Sequence, residues 1–163
     1  REACYTAIRN KMLSFLAVRE HSAFELRRKL QQRFYKSATS DVNSLVERCL
    51  LEMQERDFQS DERFANRFVE SKLANNSYGP FRILQDLQNR GISRELSQTI
   101  LSELGNQELW LKKAAKCLER LHTKGKKQTP AALSQKLYQR GFSWEIIEQA
   151  LTEYQNINKQ SES

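Results

Sequence analysis

SYGPFRILQDLQNRGIS, residues 77–93, contains a helix with both ends written into it. Pro80, preceded by Gly79, suits a first helical position, where a missing N–H is no loss. Phe81, Ile83, Leu84 and Leu87 recur at helical spacing on one face, opposite Arg82, Gln85, Asp86 and Gln88. Gly91 supplies the left-handed residue that ends such a helix, and Ser93 caps the next one. The stretch predicts a helix, a sharp turn and a second helix.

The pattern occurs again 50 residues on, as TPAALSQKLYQRGFS at 129–143. Pro80 maps to Pro130, Ile83 to Leu133, Leu87 to Leu137, Arg90 to Arg140, Gly91 to Gly141 and Ser93 to Ser143. A weaker copy, SAFELRRKLQQRF at 22–34, lies 57 residues upstream, with Leu26, Leu30 and Arg33 in the same places. It lacks the Pro and carries Phe34 where the Gly belongs. Its start is instead signed by Ser22 and Glu25 at capping-box spacing. Three copies in one short chain suggest an internal repeat. The expected architecture is all-α: three tandem three-helix repeats, residues 1–55, 56–105 and 106–163, in an elongated, curved stack.

Outward from the signatures, the periodicity predicts helices over Ala3–Arg19, Ser22–Arg33 and Asp41–Glu55, with a polar loop at Tyr35–Ser40. The second repeat opens at Ser60, an N-cap followed by Asp61 and Glu62. Arg94–Leu104 closes it. The third begins near Asn106 and ends with a helix from Trp144 to about Gln155, leaving 156–163 as a frayed tail. Phe24, Phe81 and Tyr78 could serve as stacking surfaces, but their helical spacing points to core packing.

The chain has 27 basic and 20 acidic side chains, a net charge of +7. The excess is uneven: +3 over residues 1–55, zero over 56–105 and +4 over 106–163. Such a balance attracts polyanions or an acidic protein surface, and it also suits an ordinary basic protein. The three cysteines, Cys4, Cys49 and Cys117, are far apart with no CxxC, so neither a disulfide nor a zinc site is expected; Cys49 and Cys117 read as core residues. No apolar run long enough for a membrane span and no signal peptide stands out, so a cytosolic protein is expected. The chain opens at Arg1 without Met, consistent with an absent N-terminal piece.

Catalytic sets are not found. His21 precedes a helix cap and His122 closes a helix, and neither has a metal-ligand partner at i+4. Asp57, Asp61 and Glu62 read as a helix-start cluster rather than a metal site. No catalytic residue, cofactor or metal is therefore expected. The basic positions remain. Arg27, Arg28 and Lys29 lie on the first copy of the signature helix, Arg82 and Arg90 on the second, Lys136 and Arg140 on the third. Lys112, Lys113 and Lys116 line the preceding helix, and Lys124, Lys126 and Lys127 make the densest basic loop. With Arg90 left aside, these are the candidate residues for binding a polyanion or an acidic partner. An ordinary solvated face is the competing account.

Three segments, LAVREHSAFELRRKL from Leu16, DERFANRFVESK from Asp61 and YGPFRILQDLQNRGIS from Tyr78, together resemble the RecX family, bacterial regulatory proteins acting on the recombinase RecA. The resemblance covers nearly the whole chain. It departs at Phe58-Gln59-Ser60-Asp61, where the family commonly shows Tyr-Leu-Asp-Asp, and at Phe34. It implies an all-helical protein of three three-helix units that binds along the groove of the RecA–DNA filament. It further implies inhibition of ATPase, strand exchange and coprotease activities, and hence a part in DNA repair, recombination and the SOS response. The partners so implied are the RecA filament and, weakly or through it, single- or double-stranded DNA; no membrane is involved and a monomer is expected. Read without the resemblance, short three-helix units with a Gly turn also suit a helix-turn-helix-like DNA-binding protein.

Overall fold

A computed structural model describes residues 2–37, 41–75, 78–123 and 128–161. Among them are nine α-helices and no strand. They run α1 (Glu2–Val18), α2 (Ala23–Arg33), α3 (Val42–Glu55), α4 (Asp61–Asn75), α5 (Pro80–Asn89), α6 (Arg94–Leu104), α7 (Gln107–Thr123), α8 (Pro130–Gln139) and α9 (Trp144–Ser161). A short 3-10 turn, Tyr35–Ser37, follows α2.

The helix starts follow their caps. Ser22 and Glu25 form the capping box: Glu25 N–H donates to Ser22 Oγ at 3.1 Å, and Ser22 N–H to the Glu25 carboxylate at 3.1 Å. Ser60, Ser93, Thr129 and Ser143 each accept from the N–H three residues on, and Asn106 Oδ1 does the same for Leu109. The ends follow the glycines. Gly91 and Gly141 have φ of 79° and 93°. In each turn the N–H after the glycine bonds back to the carbonyl five residues earlier, Ile92 to Leu87 at 3.1 Å and Phe142 to Leu137 at 3.2 Å. Phe34, with φ −100°, makes no such turn. Asp57 does: at φ 59° it ends α3, with Phe58 N–H on Met53 O at 2.8 Å. Asp tolerates this region better than most residues, so no glycine marks the turn in sequence.

Two expectations are corrected. α9 continues to Ser161, so 156–161 are helical rather than frayed; nothing from Gln155 to Ser161 is Gly or Pro, and a polar helix simply propagates. Phe24 and Phe81 are also not core residues: both are exposed. Ile83 and Leu87 fill the buried stripe of α5, and Phe81 stands at its edge, toward solvent. Of the loop expected at 35–40, residues 38–40 lie outside the described residues.

The chain divides into two compact units. The first comprises residues up to 68 with 87–96. Its core joins Ile8 and Met12 of α1, Leu26 and Leu30 of α2, and Val46, Cys49, Leu50 and Met53 of α3. At the rim, Arg9 makes a bidentate pair with Glu52, which also accepts from Tyr5 Oη at 2.9 Å. These two donors hold the Glu52 carboxyl down to about 2. The α1–α2 corner is tied by Asp61 Oδ1, which accepts from Ala23 N–H at 2.8 Å, and by the buried Gln59, which donates to His21 O. Asp61 thus serves as a structural acceptor, and no group of metal-ligating side chains occurs among the described residues.

The second unit comprises 69–86 with the chain from 97 on. α7 packs against α9, and α8 against both. Trp110, Ala114, Cys117 and Leu118 of α7 meet a core that includes Leu133, Leu137, Phe142, Ile146, Ile147 and Ala150.

The repeated signature also makes a repeated contact, once in each unit. In the first, Ser22 Oγ donates to Arg90 O at 2.7 Å, and a methyl on Gly91 would overlap Phe24. In the second, Gly79 N–H donates to Arg140 O at 2.8 Å and Phe81 N–H to Gly141 O at 3.0 Å; a methyl on Gly141 would overlap Arg82. Ser22 and Gly79 hold equivalent places, as do Arg90 and Arg140. The Arg-Gly turn of one copy closes on the helix start of the copy before it.

Candidate functional site

The basic positions expected to bind a partner take up different surroundings. On α2, Arg27 makes a two-point pair with Glu47, which raises its pKa, and Arg28 is exposed. Lys29 donates to His21 Nε2 at 2.8 Å and lies 4.8 Å over the Phe15 ring. His21 Nδ1–H in turn donates to Arg19 O at 3.0 Å, which fixes the neutral tautomer. Burial, with Arg19 and Lys29 nearby, lowers the imidazole pKa. His21 is therefore a core histidine.

In the second unit, Lys112 pairs with Glu108 at 3.6 Å and Lys116 is exposed. Lys113 behaves differently. It is only 8% exposed, and its ammonium donates to Leu73 O near the end of α4. Burial, with Lys116 close by, lowers its pKa. Lys113 thus places a cation on a carbonyl near a helix C-terminus, where one is favoured. Lys136 is exposed on the last turn of α8. Lys124, Lys126 and Lys127 lie outside the described residues.

Arg82 and Arg140 are brought to one corner. The main chain of Arg82 lies against Gly141, and Arg140 O accepts from Gly79. The Arg82 guanidinium sits 4.8 Å over Tyr78 and 3.7 Å from Asp86. At the same corner Tyr138 and Trp144 stack face to face, with ring centroids 4.6 Å apart and planes 10° from parallel. They are 50% and 53% exposed, and Phe81 is 55% exposed. Charge counting misses this cluster. The signal lay in aligning the copies: positions 138 and 144 correspond to Gln88 and Arg94 in the second repeat, so aromatic residues have replaced polar ones.

Comparison with known proteins bears on what this fold is. A family model described as "RecX, second three-helix domain" matches residues 60–101. Curated relatives named "Regulatory protein RecX", from Salmonella heidelberg (strain SL476) and Salmonella agona (strain SL483), are 36% identical over 107 residues. Those matches span 63% of this chain and 64% of the relatives' length. The crystal structure of RecX from Lactobacillus salivarius aligns with a TM-score of 0.80 at 20% identity, covering 94% of this chain and 97% of that one. A second RecX crystal structure aligns at 0.79, again at 20% identity, covering 91% and 73%. The all-α fold is thus that of RecX structures, residues 60–101 match the second three-helix domain of RecX, and the chain is similar to the RecX family of regulatory proteins.

Proposed function

We propose that this chain regulates the recombinase RecA by binding the RecA–DNA filament and, through occupancy alone, inhibits its recombinase, ATPase and coprotease activities. The match of residues 60–101 to a RecX domain carries this reading. The positive balance of the chain supports it, because a nucleoprotein filament is a polyanion. The proposal keeps three functional repeats, 1–55, 56–105 and 106–163, in a cytoplasmic monomer. No helix among the described residues is long and apolar enough to cross a membrane. Arg28, Lys116 and Lys136, all exposed, are the described cations best placed to meet the filament.

The test is a titration of the chain into ATP hydrolysis by RecA on single-stranded DNA. Inhibition is expected to rise with the fraction of filament sites occupied and to reverse on dilution. Undiminished hydrolysis at saturating protein would refute the reading. Permanent inactivation of a large excess of recombinase by a trace of protein would refute the occupancy mechanism.

A further inference from the structure

We infer that the corner formed by Tyr138, Trp144 and Phe81 is the anchor for a protein segment of the filament, an aliphatic side chain flanked by a carboxylate, and not a nucleic-acid surface. The inference rests on the proposed function and assigns its protein contact.

The first argument is that these aromatics are surplus to folding. The turn at Gly91 makes the same backbone bonds as the turn at Gly141, with Gln88 and Arg94 where the latter has Tyr138 and Trp144. Phe81 likewise corresponds to Ala131 in the third copy. A stacked indole and phenol held half in water lose burial that folding would otherwise gain.

The second argument is that the stack is already ordered. Tyr138 and Trp144 hold each other nearly parallel, so a partner would not have to immobilise either ring. Trp, Tyr and Arg are the side chains that dominate protein–protein contacts, and Arg82 stands at the same corner.

The third argument is charge. Arg82, Arg140 and the exposed Lys136 are matched by Asp86, which pairs with Arg82, and by Glu145 and Glu148, exposed on the first turns of α9 beside Trp144. A phosphate backbone is recognised by an excess of cations, and this corner has none. A surface of mixed sign with an aromatic centre suits a protein, with Arg140 left to meet a carboxylate.

The test uses the full chain, RecA filaments assembled on a labelled oligonucleotide, and bare oligo(dT). One variant combines Tyr138→Gln with Trp144→Arg, the residues the second repeat carries at these positions; the other is Phe81→Ala. With helicity and melting temperature retained, the double variant is expected to bind filament at least about 30-fold more weakly. Phe81→Ala is expected to lose about fivefold, and it decides alone if the double variant loses helicity. Bare-DNA binding should not weaken, since Trp144→Arg adds a positive charge. Filament affinity within threefold of the parent overturns the inference and leaves the proposed function intact. Parallel loss of oligo(dT) binding assigns the corner to nucleic acid and also overturns it. A parent that does not bind filament removes the proposed function and this inference with it.

Discussion

Replacing Gly141 by Ala tests the turn on which the second unit closes. At φ 93° an L side chain strains the backbone by about 1–2 kcal/mol. The added methyl would also overlap the backbone N and Cα of Arg82, which cannot rotate away as a side chain can. Relief requires the start of α5 to retreat, and that start is held by Gly79 N–H on Arg140 O at 2.8 Å and Phe81 N–H on Gly141 O at 3.0 Å. Each bond contributes about 1 kcal/mol net. The sum is about 3–4 kcal/mol, or about 6–16 °C in melting temperature for a chain of this length. Gly91→Ala meets the same strain at φ 79°, and its obstacle is the Phe24 Cβ, which moves only with the start of α2; that start is held to the turn by one bond, Ser22 Oγ on Arg90 O. It is expected to cost less, about 2–3 kcal/mol. Urea unfolding followed by helicity measures both. Parity of either variant with the parent within 0.5 kcal/mol, or greater damage at Gly91, would refute the reasoning.

Three further outcomes follow from the side chains described above. Glu52 is held at about 2, below the ordinary carboxylate value, so its stabilisation is present above that ordinary value and lost as pH falls from about 4 toward 2. In acid titrations of the urea midpoint, Glu52→Gln should therefore show a shallower loss than the parent. His21 is depressed, so its contribution is present above about 6.5 and lost as pH falls below that value. Lys29→Met should raise its titration midpoint by NMR, since it removes a nearby cation, and an unchanged midpoint would contradict the Lys29–His21 contact. Arg28→Glu and Lys116→Glu, at exposed positions, should each weaken filament binding and flatten its salt dependence by about one phosphate contact. Lys113→Met should leave that salt dependence unchanged while lowering stability.

Much of this architecture is local information. Pro80, Gly91, Thr129 and Gly141 punctuate helices through their own backbone chemistry, so sequence alone places α5, α6, α8 and α9 to within a residue at these ends. Periodicity also sorts residues onto faces, but it cannot say what covers a face. Phe81 belongs to the apolar side of α5 and still ends up half in water. Lys113 looks like its neighbours Lys112 and Lys116 until Leu73, forty positions earlier in the chain, brings its carbonyl to the ammonium. The left-handed Asp57 was hidden for a different reason, because Asp enters that region without announcing it as Gly does. At the candidate site, the cations were legible as a composition. The aromatic corner required knowing that a turn at 141 and a helix start at 80 meet.

The two Arg-Gly contacts accept on the same main-chain atom but donate from different ones. Ser22 gives a side-chain hydroxyl, whereas Gly79 gives its backbone N–H. The first bond is thus exposed to point mutation: a residue without a side-chain donor deletes it, and an apolar one also removes the cap that the same oxygen provides to Glu25. The second survives every substitution except proline as chemistry, yet tolerates almost none as shape, because a Cβ at position 79 would collide with the Gly141 backbone. One joint is therefore open to gradual weakening through the loss of a functional group, and the other is locked against change in size. Drift is easier at the first joint than at the second, even though both descend from one repeated signature.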